Sequence, residues 1–215
     1  MVVVGLDLSM NSSGLAKWDT DDMEGTFSYK GFTDTVKWES KNIISHKNTN
    51  WNTRFEKTEW FLKEILEFVK GSDYIALEDH SLGSTGLVFD IAAFVGVIKQ
   101  ELFRLGYKFI TIPPTTHKKF TTGKGTADKC QTTDAILKRF EWICNNKELM
   151  SLPKYKSPQA DIFDAISLCY TLDRKLKYSC DENYRKTLDK FESDVMKATS
   201  KKNPTEFWRR SFYNG

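Results

Sequence analysis

The 215 residues carry 32 Lys and Arg against 29 Asp and Glu, a formal charge of +3, with 40% apolar and 28% charged residues. That balance describes a soluble globular chain able to bury its own core, and it excludes wholesale disorder. Residues 1–110 hold 12 basic and 16 acidic side chains and residues 111–215 hold 20 and 13, so positive charge gathers in the second half, where it can neutralise a polyanion.

In chain order, Val2 to Leu8 is a β-branched run, Ser9 to Gly14 is rich in turn residues, and Leu15 to Trp18 is a second short run. This predicts a strand, a turn and an antiparallel partner. Phe27 to Val36 supplies a third strand, and residues 19–50 are otherwise rich in turns and aromatics. From Trp51 to Val69 the residues Phe55, Trp60, Phe61, Ile65, Leu66 and Phe68 recur at helical spacing, with Gly71 as C-cap. Tyr74 to Leu77 predicts a short buried strand ending at Glu78, followed by the polar loop Ser81 to Gly86. A helix from Asp90 to Leu105 and a strand from Tyr107 to Ile112 come next, the strand stopped by Pro113-Pro114. Residues 115–126 are dominated by Thr, Lys and Gly and lead into a helix from Ala127 to Ile143. Residues 145–158 predict a loop, and Gln159 to Leu172 a buried helix. Beyond Arg174 the chain is charged and helical in period, closing with Phe207-Trp208-Arg209-Arg210. The order points to a mixed α/β sheet flanked by helices.

No apolar run approaches the about 18 residues of a membrane span, and Asp7 interrupts the opening Val2–Val4 run, which has no basic leader. The four cysteines (Cys130, Cys144, Cys169, Cys180) contain no C-x-x-C pair, which predicts reduced thiols in a cytoplasmic protein and speaks against zinc.

Four carboxylates sit in apolar surroundings. Asp7 lies within the first strand, sharing a face with Gly5 and Ser9, and Glu78 closes a later strand. Asp161 and Asp164 are three apart on one face of a helix made of Ile162, Phe163, Ala165, Ile166 and Leu168. Singly, each has an ordinary explanation: an ion pair, a strand exit, a helix N-terminus. Together they would repel and raise one another's pKa unless a divalent cation joined them. Mg²⁺ takes oxygen ligands, and two ions can serve phosphodiester hydrolysis.

Three segments, Val3-Val4-Gly5-Leu6-Asp7, Ile75-Ala76-Leu77-Glu78 and Gln159-Ala160-Asp161-Ile162-Phe163-Asp164-Ala165, resemble the catalytic segments of RuvC-type Holliday junction resolvases of the RNase H-like superfamily. Between the second and third, the stretch from His117 to Gln131 is similar to that family's lysine, G-x-G turn and second lysine. The resemblance covers residues 1–172. It implies a mixed five-stranded sheet flanked by helices, a nuclease domain over 1–173 and a helical C-terminal extension of the same domain over 174–215. It implies Asp7, Glu78, Asp161 and Asp164 as metal-binding carboxylates for Mg²⁺ or Mn²⁺, two per site. Lys118 and Lys129 become basic catalytic residues near the scissile phosphate, with Lys119 and Lys124 as candidate backbone-phosphate contacts beside them. The implied partners are a four-way junction or other branched DNA and a second copy of the chain, in a two-fold homodimer nicking opposite strands. The aromatic that follows the family's second acid by three residues is Ser81 here; Leu82 or Phe89 are the neighbouring substitutes. The extra residues in 19–50 and in the tail fit a phage or viral relative.

Other readings stay open. An RNase H-type nuclease on RNA–DNA hybrids would use the same four acids but need 2′-hydroxyl contacts. A junction-binding protein without catalysis would be expected to lack one of them. An actin-like ATPase shares the first strand motif, but Gly123-Lys124-Gly125-Thr126 lacks the phosphate-loop spacing, so no nucleotide cofactor is expected. His80, two after Glu78 on the same strand face, reads as a loop residue or as one facing the site, His117 reads equally as a site or a surface residue, and Trp38 and Trp51 read as core or as base-stacking platforms.

Overall fold

The computed structural model describes residues 1–79, 88–188, 190, 192–194 and 196. Its centre is one sheet in the order β4-β3-β2-β1-β5-β6, built from β1 (Val2–Asp7), β2 (Ser13–Asp19), β3 (Ser28–Thr33), β4 (Ile43–Ser45), β5 (Tyr74–Glu78) and β6 (Phe109–Ile112). β1 pairs antiparallel with β2 and parallel with β5, so the two acid-bearing strand ends, Asp7 and Glu78, emerge side by side at the same end of the sheet. The sheet has six strands rather than the expected five. The extra strand β4 pairs parallel with β3, Gly31 opposite Ile43. Its three residues are too short a run to stand out within a turn-rich segment.

The helices are α1 (Met23–Thr26), α2 (Arg54–Val69), α3 (Val88–Arg104), α4 (Pro114–Thr122), α5 (Lys129–Arg139), α6 (Lys147–Ser151), α7 (Gln159–Cys180) and α8 (Glu182–Thr187). Strand alternation sends Val4 and Leu6 to one face, where they pack with Phe61, Ile65 and Phe94 of α2 and α3. Val3 faces the other way, into a cluster with Phe120, Ile136, Ile162, Phe163 and Ile166 of α4, α5 and α7. The result is a helix–sheet–helix sandwich.

Several boundaries differ from the sequence expectation. Pro114 does not merely stop β6: it occupies the first turn of α4, where a missing N–H costs nothing, and Gly123 closes that helix at φ +88°. The helix expected over 127–143 is α5 only, because Phe140 leaves helical geometry to pack its ring against Trp18 and Tyr170. A 3-10 turn (Glu141–Asn145) and α6 occupy part of the expected loop. α7 runs eight residues past Leu172, held by the buried Leu176 and by Asp173, which ion-pairs with Lys177.

α7 lies directly on the backbone of β1 and β2. A Cβ on Gly5 would fall 2.1 Å from the Ala165 carbonyl oxygen, and one on Gly14 would fall 2.1 Å from the Asp161 carbonyl. Only glycine permits that approach, and the approach carries Asp161 and Asp164 to the end of β1. Ile162, Phe163, Ile166, Leu168 and Leu172 are fully buried. At about 1.5–3 kcal/mol each, they offset the cost of burying two carboxylates on the same helix.

Candidate active site

The four carboxylates meet where β1, β5 and α7 converge. Asp7 ends β1, Glu78 ends β5, and Asp161 and Asp164 occupy the first two turns of α7, only 3% and 4% exposed. Desolvation first, then the charges of Glu78, Asp164 and Asp161, push the Asp7 carboxyl well above the ordinary carboxylate range. Asp7 and Glu78 stand within hydrogen-bonding reach of each other. Burial likewise raises Asp164 to about 6, despite the countering charges of His117, Lys118 and Lys129. Burial opposes ionisation of Glu78 too, but hydrogen bonds from His117 and Asp7 and the charge of Lys118 outweigh it and hold Glu78 below its usual value.

Each acid has a distinct set of neighbours. Lys129 Nζ lies 2.5 Å from Asp161 Oδ1, and the Ser12 hydroxyl bonds Asp161 Oδ2. Lys129 is the first residue of α5, whose start is fixed by a capping box between Asp128 and Gln131. A cation there opposes the helix dipole, and Asp161 compensates it. Ser12 belongs to a turn held by its neighbours: Ser9 Oγ donates to the Ser12 carbonyl at 2.5 Å and Ser13 Oγ to the Ser9 carbonyl at 2.7 Å. His117 is fully buried, with Nε2 2.9 Å from Glu78 Oε1 and Nδ1 2.9 Å from Ser167 Oγ, which in turn lies 2.7 Å from Thr121 Oγ1.

The donor set suits a hard divalent cation in its chemistry. It offers four carboxylates, and Asp164 Oδ1 is buried without a hydrogen-bond partner among the described residues. As the side chains stand, no three His, Cys, Asp or Glu among the described residues form a metal-binding group. Asp161 is turned to Lys129 and Ser12, and Glu78 to His117. Ion binding would release these contacts.

The geometry can be set beside known proteins. No family model matches the chain. The crossover junction endodeoxyribonuclease RuvC of Wolinella succinogenes is 29% identical over 125 residues, which is 53% of this chain and 70% of that protein. The structure of Thermus thermophilus RuvC matches 82% of this chain and 95% of its own, with TM-score 0.55 and 17% identity. The chain is thus similar to the RuvC-type resolvases, in sequence over 125 residues and in fold over most of its length. T. thermophilus RuvC in complex with Holliday junction substrate matches 80% of this chain and 92% of its own with TM-score 0.55 at 15% identity. The yeast mitochondrial Holliday junction resolvase Ydc2 matches 97% of this chain and 83% of its own, with TM-score 0.50 and 12% identity.

Within this RuvC-like frame, all four sequence-predicted acids and both Lys118 and Lys129 come together. Lys118 is half-buried on α4, and its charge acts on both Glu78 and Asp164. Lys119 and Lys124 are exposed on α4 and the turn after it. His80, Ser81, Leu82 and the side chain of Phe89, like residues 207–210, lie outside the described residues.

Of the two readings of His117 the site-side one holds: it is a core residue against Glu78, not a surface one, because it shares the inward face of α4 with Phe120 and Thr121 at i, i+3 and i+4 spacing. That periodicity was readable in the sequence. Ser12 had no comparable signal, since its place depends on how closely α7 approaches β2. Trp38 packs partly buried against the core, and Trp51 lies against Trp60 with ring centroids 5.6 Å apart.

Proposed function

We propose that this chain is a metal-dependent endonuclease that resolves four-way DNA junctions and related branched DNA by symmetric nicking. The observation that supports it most strongly is the convergence of Asp7, Glu78, Asp161 and Asp164, from three distant segments, beside Lys118 and Lys129. Asp7, Glu78, Asp161 and Asp164 would hold Mg²⁺ or Mn²⁺, two ions per site. Bound there, the cations polarise a phosphate oxygen and lower the pKa of water.

The chain's own groups define the rest. Asp164 Oδ1, buried with no hydrogen-bond partner among the described residues, would take a proton from the attacking water. The water oxygen bonds to phosphorus as the P–O3′ bond breaks, the 3′-oxygen takes up a proton from solvent water, and a 5′-phosphate and a 3′-hydroxyl remain for ligation. Lys118 and Lys129 place positive charge where the phosphate gains negative charge. Ser12 keeps Asp161 in place, and His117, braced by Ser167 and Thr121, keeps Glu78 in place. Lys119 and Lys124 meet backbone phosphates of the DNA arms.

The proposed catalytic unit spans residues 1–173, with 174–215 as its C-terminal extension. A two-fold homodimer would set two such sites on opposite strands.

The test offers purified protein a four-way junction, a linear duplex and an RNA–DNA hybrid with Mg²⁺. Paired, ligatable nicks in the junction are expected. Cleavage of the hybrid in preference would move the chain to the RNase H reading, and tight junction binding with no cut would show a binding protein without catalysis.

A further inference from the structure

A groove leaves the active-site turn on the side away from α4 and α5. Its near part, about 220 Å³, is bordered by Ser9, Met10 and Asn11 of the turn. Its far part, about 390 Å³, is bordered by His46, Lys47 and Trp51 of the segment between β3 and α2. Asn11 and Lys57 line both parts, so the two are continuous. Asn11 is adjacent in sequence to Ser12, which bonds Asp161, so the groove begins beside the carboxylates.

The groove is built rather than incidental. The buried His46 donates Nε2–H to the Asn11 carbonyl at 3.0 Å, tying the β3–α2 segment to the active-site turn. The same ring packs against Phe61, with centroids 5.6 Å apart, and Trp51 rests on Trp60, so both groove residues are anchored in the α2 core. Trp51 stays half-buried while lining the far part.

Its chemistry suits one polynucleotide strand. Lys47 and Lys57 face the opening opposite a single acid, Asp34, whereas Arg54 in the near part is already paired with Asp90. Desolvation lowers the Lys57 pKa, a cost that an incoming anion would repay. An aromatic wall beside cations tracking a groove is the arrangement that binds unstacked bases and their phosphates. Bases paired and stacked in a duplex present no free π-face to such a wall, so the groove selects a strand opened at the branch.

We propose that this groove binds a nucleotide of the DNA strand flanking the scissile phosphate, with Trp51 stacking on the unpaired base and Lys47 and Lys57 meeting its phosphates. The assignment deepens the junction-resolving reading.

The experiment titrates the full chain, in EDTA so that nothing is cut, with a fluorescently labelled single-stranded oligothymidylate. Trp51→Leu is expected to weaken binding by about 5- to 100-fold. The double variant Lys47→Gln/Lys57→Gln should also weaken it and should flatten its salt dependence. Unchanged affinity in a Trp51→Leu protein that melts like the wild type would overturn the proposal. Should that variant fail to fold, the lysine variant decides, and unchanged affinity and salt slope there would overturn it. The two readings fail separately. A protein that binds the oligomer through Trp51 but cuts no junction refutes only the proposed function. One that cuts junctions while its oligomer affinity ignores these substitutions refutes only the groove.

Discussion

Neutralising Asp164 should stabilise this protein while removing its activity. The Asp164 carboxyl titrates at about 6 in the fold, against about 3.9 in an unfolded chain. A raised folded pKa means that the native state binds the extra proton, so stability is fully present below about pH 4 and is lost as pH rises through 6. At pH 7 the difference of about 2 pKa units corresponds to about 3 kcal/mol against the fold, falling to about 1 kcal/mol at pH 4.5. Asp164→Asn removes this ionisation. For a chain of this length, about 3 kcal/mol is a rise in melting temperature of about 6–12 °C. Thermal melts in EDTA at pH 7 and 4.5 read the effect directly, and the variant's advantage should shrink at the lower pH. Mg²⁺, which would bind the wild type and favour its folded form, should narrow the gap at pH 7. A variant less stable than the wild type at pH 7 in EDTA would refute the reasoning, because it would make Asp164 an ordinary structural acid whose charge the fold needs.

Three further outcomes follow from the geometry. His117→Phe keeps the volume but removes both hydrogen bonds; second-contact losses of this kind cost about 10- to 100-fold in activity or metal affinity, read from Mg²⁺ titrations of cleavage rate, and no change would leave Glu78 independent of His117. Gly14→Ala places a methyl 2.1 Å from the Asp161 carbonyl, so it should cost about 1–3 kcal/mol or more in denaturant melts and displace Asp161 enough to stop cleavage. Lys175, nearly buried on α7, has its pKa lowered by burial to about 8. A lysine depressed in the fold destabilises at low pH and recovers as pH passes from 8 toward 10.4, so Lys175→Met should gain up to about 3 kcal/mol at pH 7 and only about 1 kcal/mol at pH 9.5. An advantage that does not shrink with pH would contradict that assignment.

The antiparallel β1–β2 pair and the Asp161/Asp164 pair on one helix face were legible because apolar runs broken by turn residues and i, i+3 spacing are local signals, whereas the joining of the four acids came through the family resemblance and the seat of β5 beside β1 had no local signal. The close seat of α7 was legible only in part: Gly5 and Gly14 stood in the sequence, but nothing local says that they lie under Ala165 and Asp161. β4 was missed because it is set by pairing with β3 rather than by its own residues. α5 ends early through a tertiary contact, Phe140 on Trp18, which helix propensity does not contain. The groove was the least legible feature, since it joins Asn11 to Trp51 through one hydrogen bond from His46.

The most direct trial of the central claim is metal-dependent cleavage of a labelled four-way junction by the wild type and by Asp7→Asn, each with Mg²⁺ and with EDTA. The carboxylate cluster predicts paired nicks from the wild type in Mg²⁺ alone, and none from Asp7→Asn although it still binds the junction. Cleavage that survives EDTA, or that survives the loss of Asp7, would contradict the account.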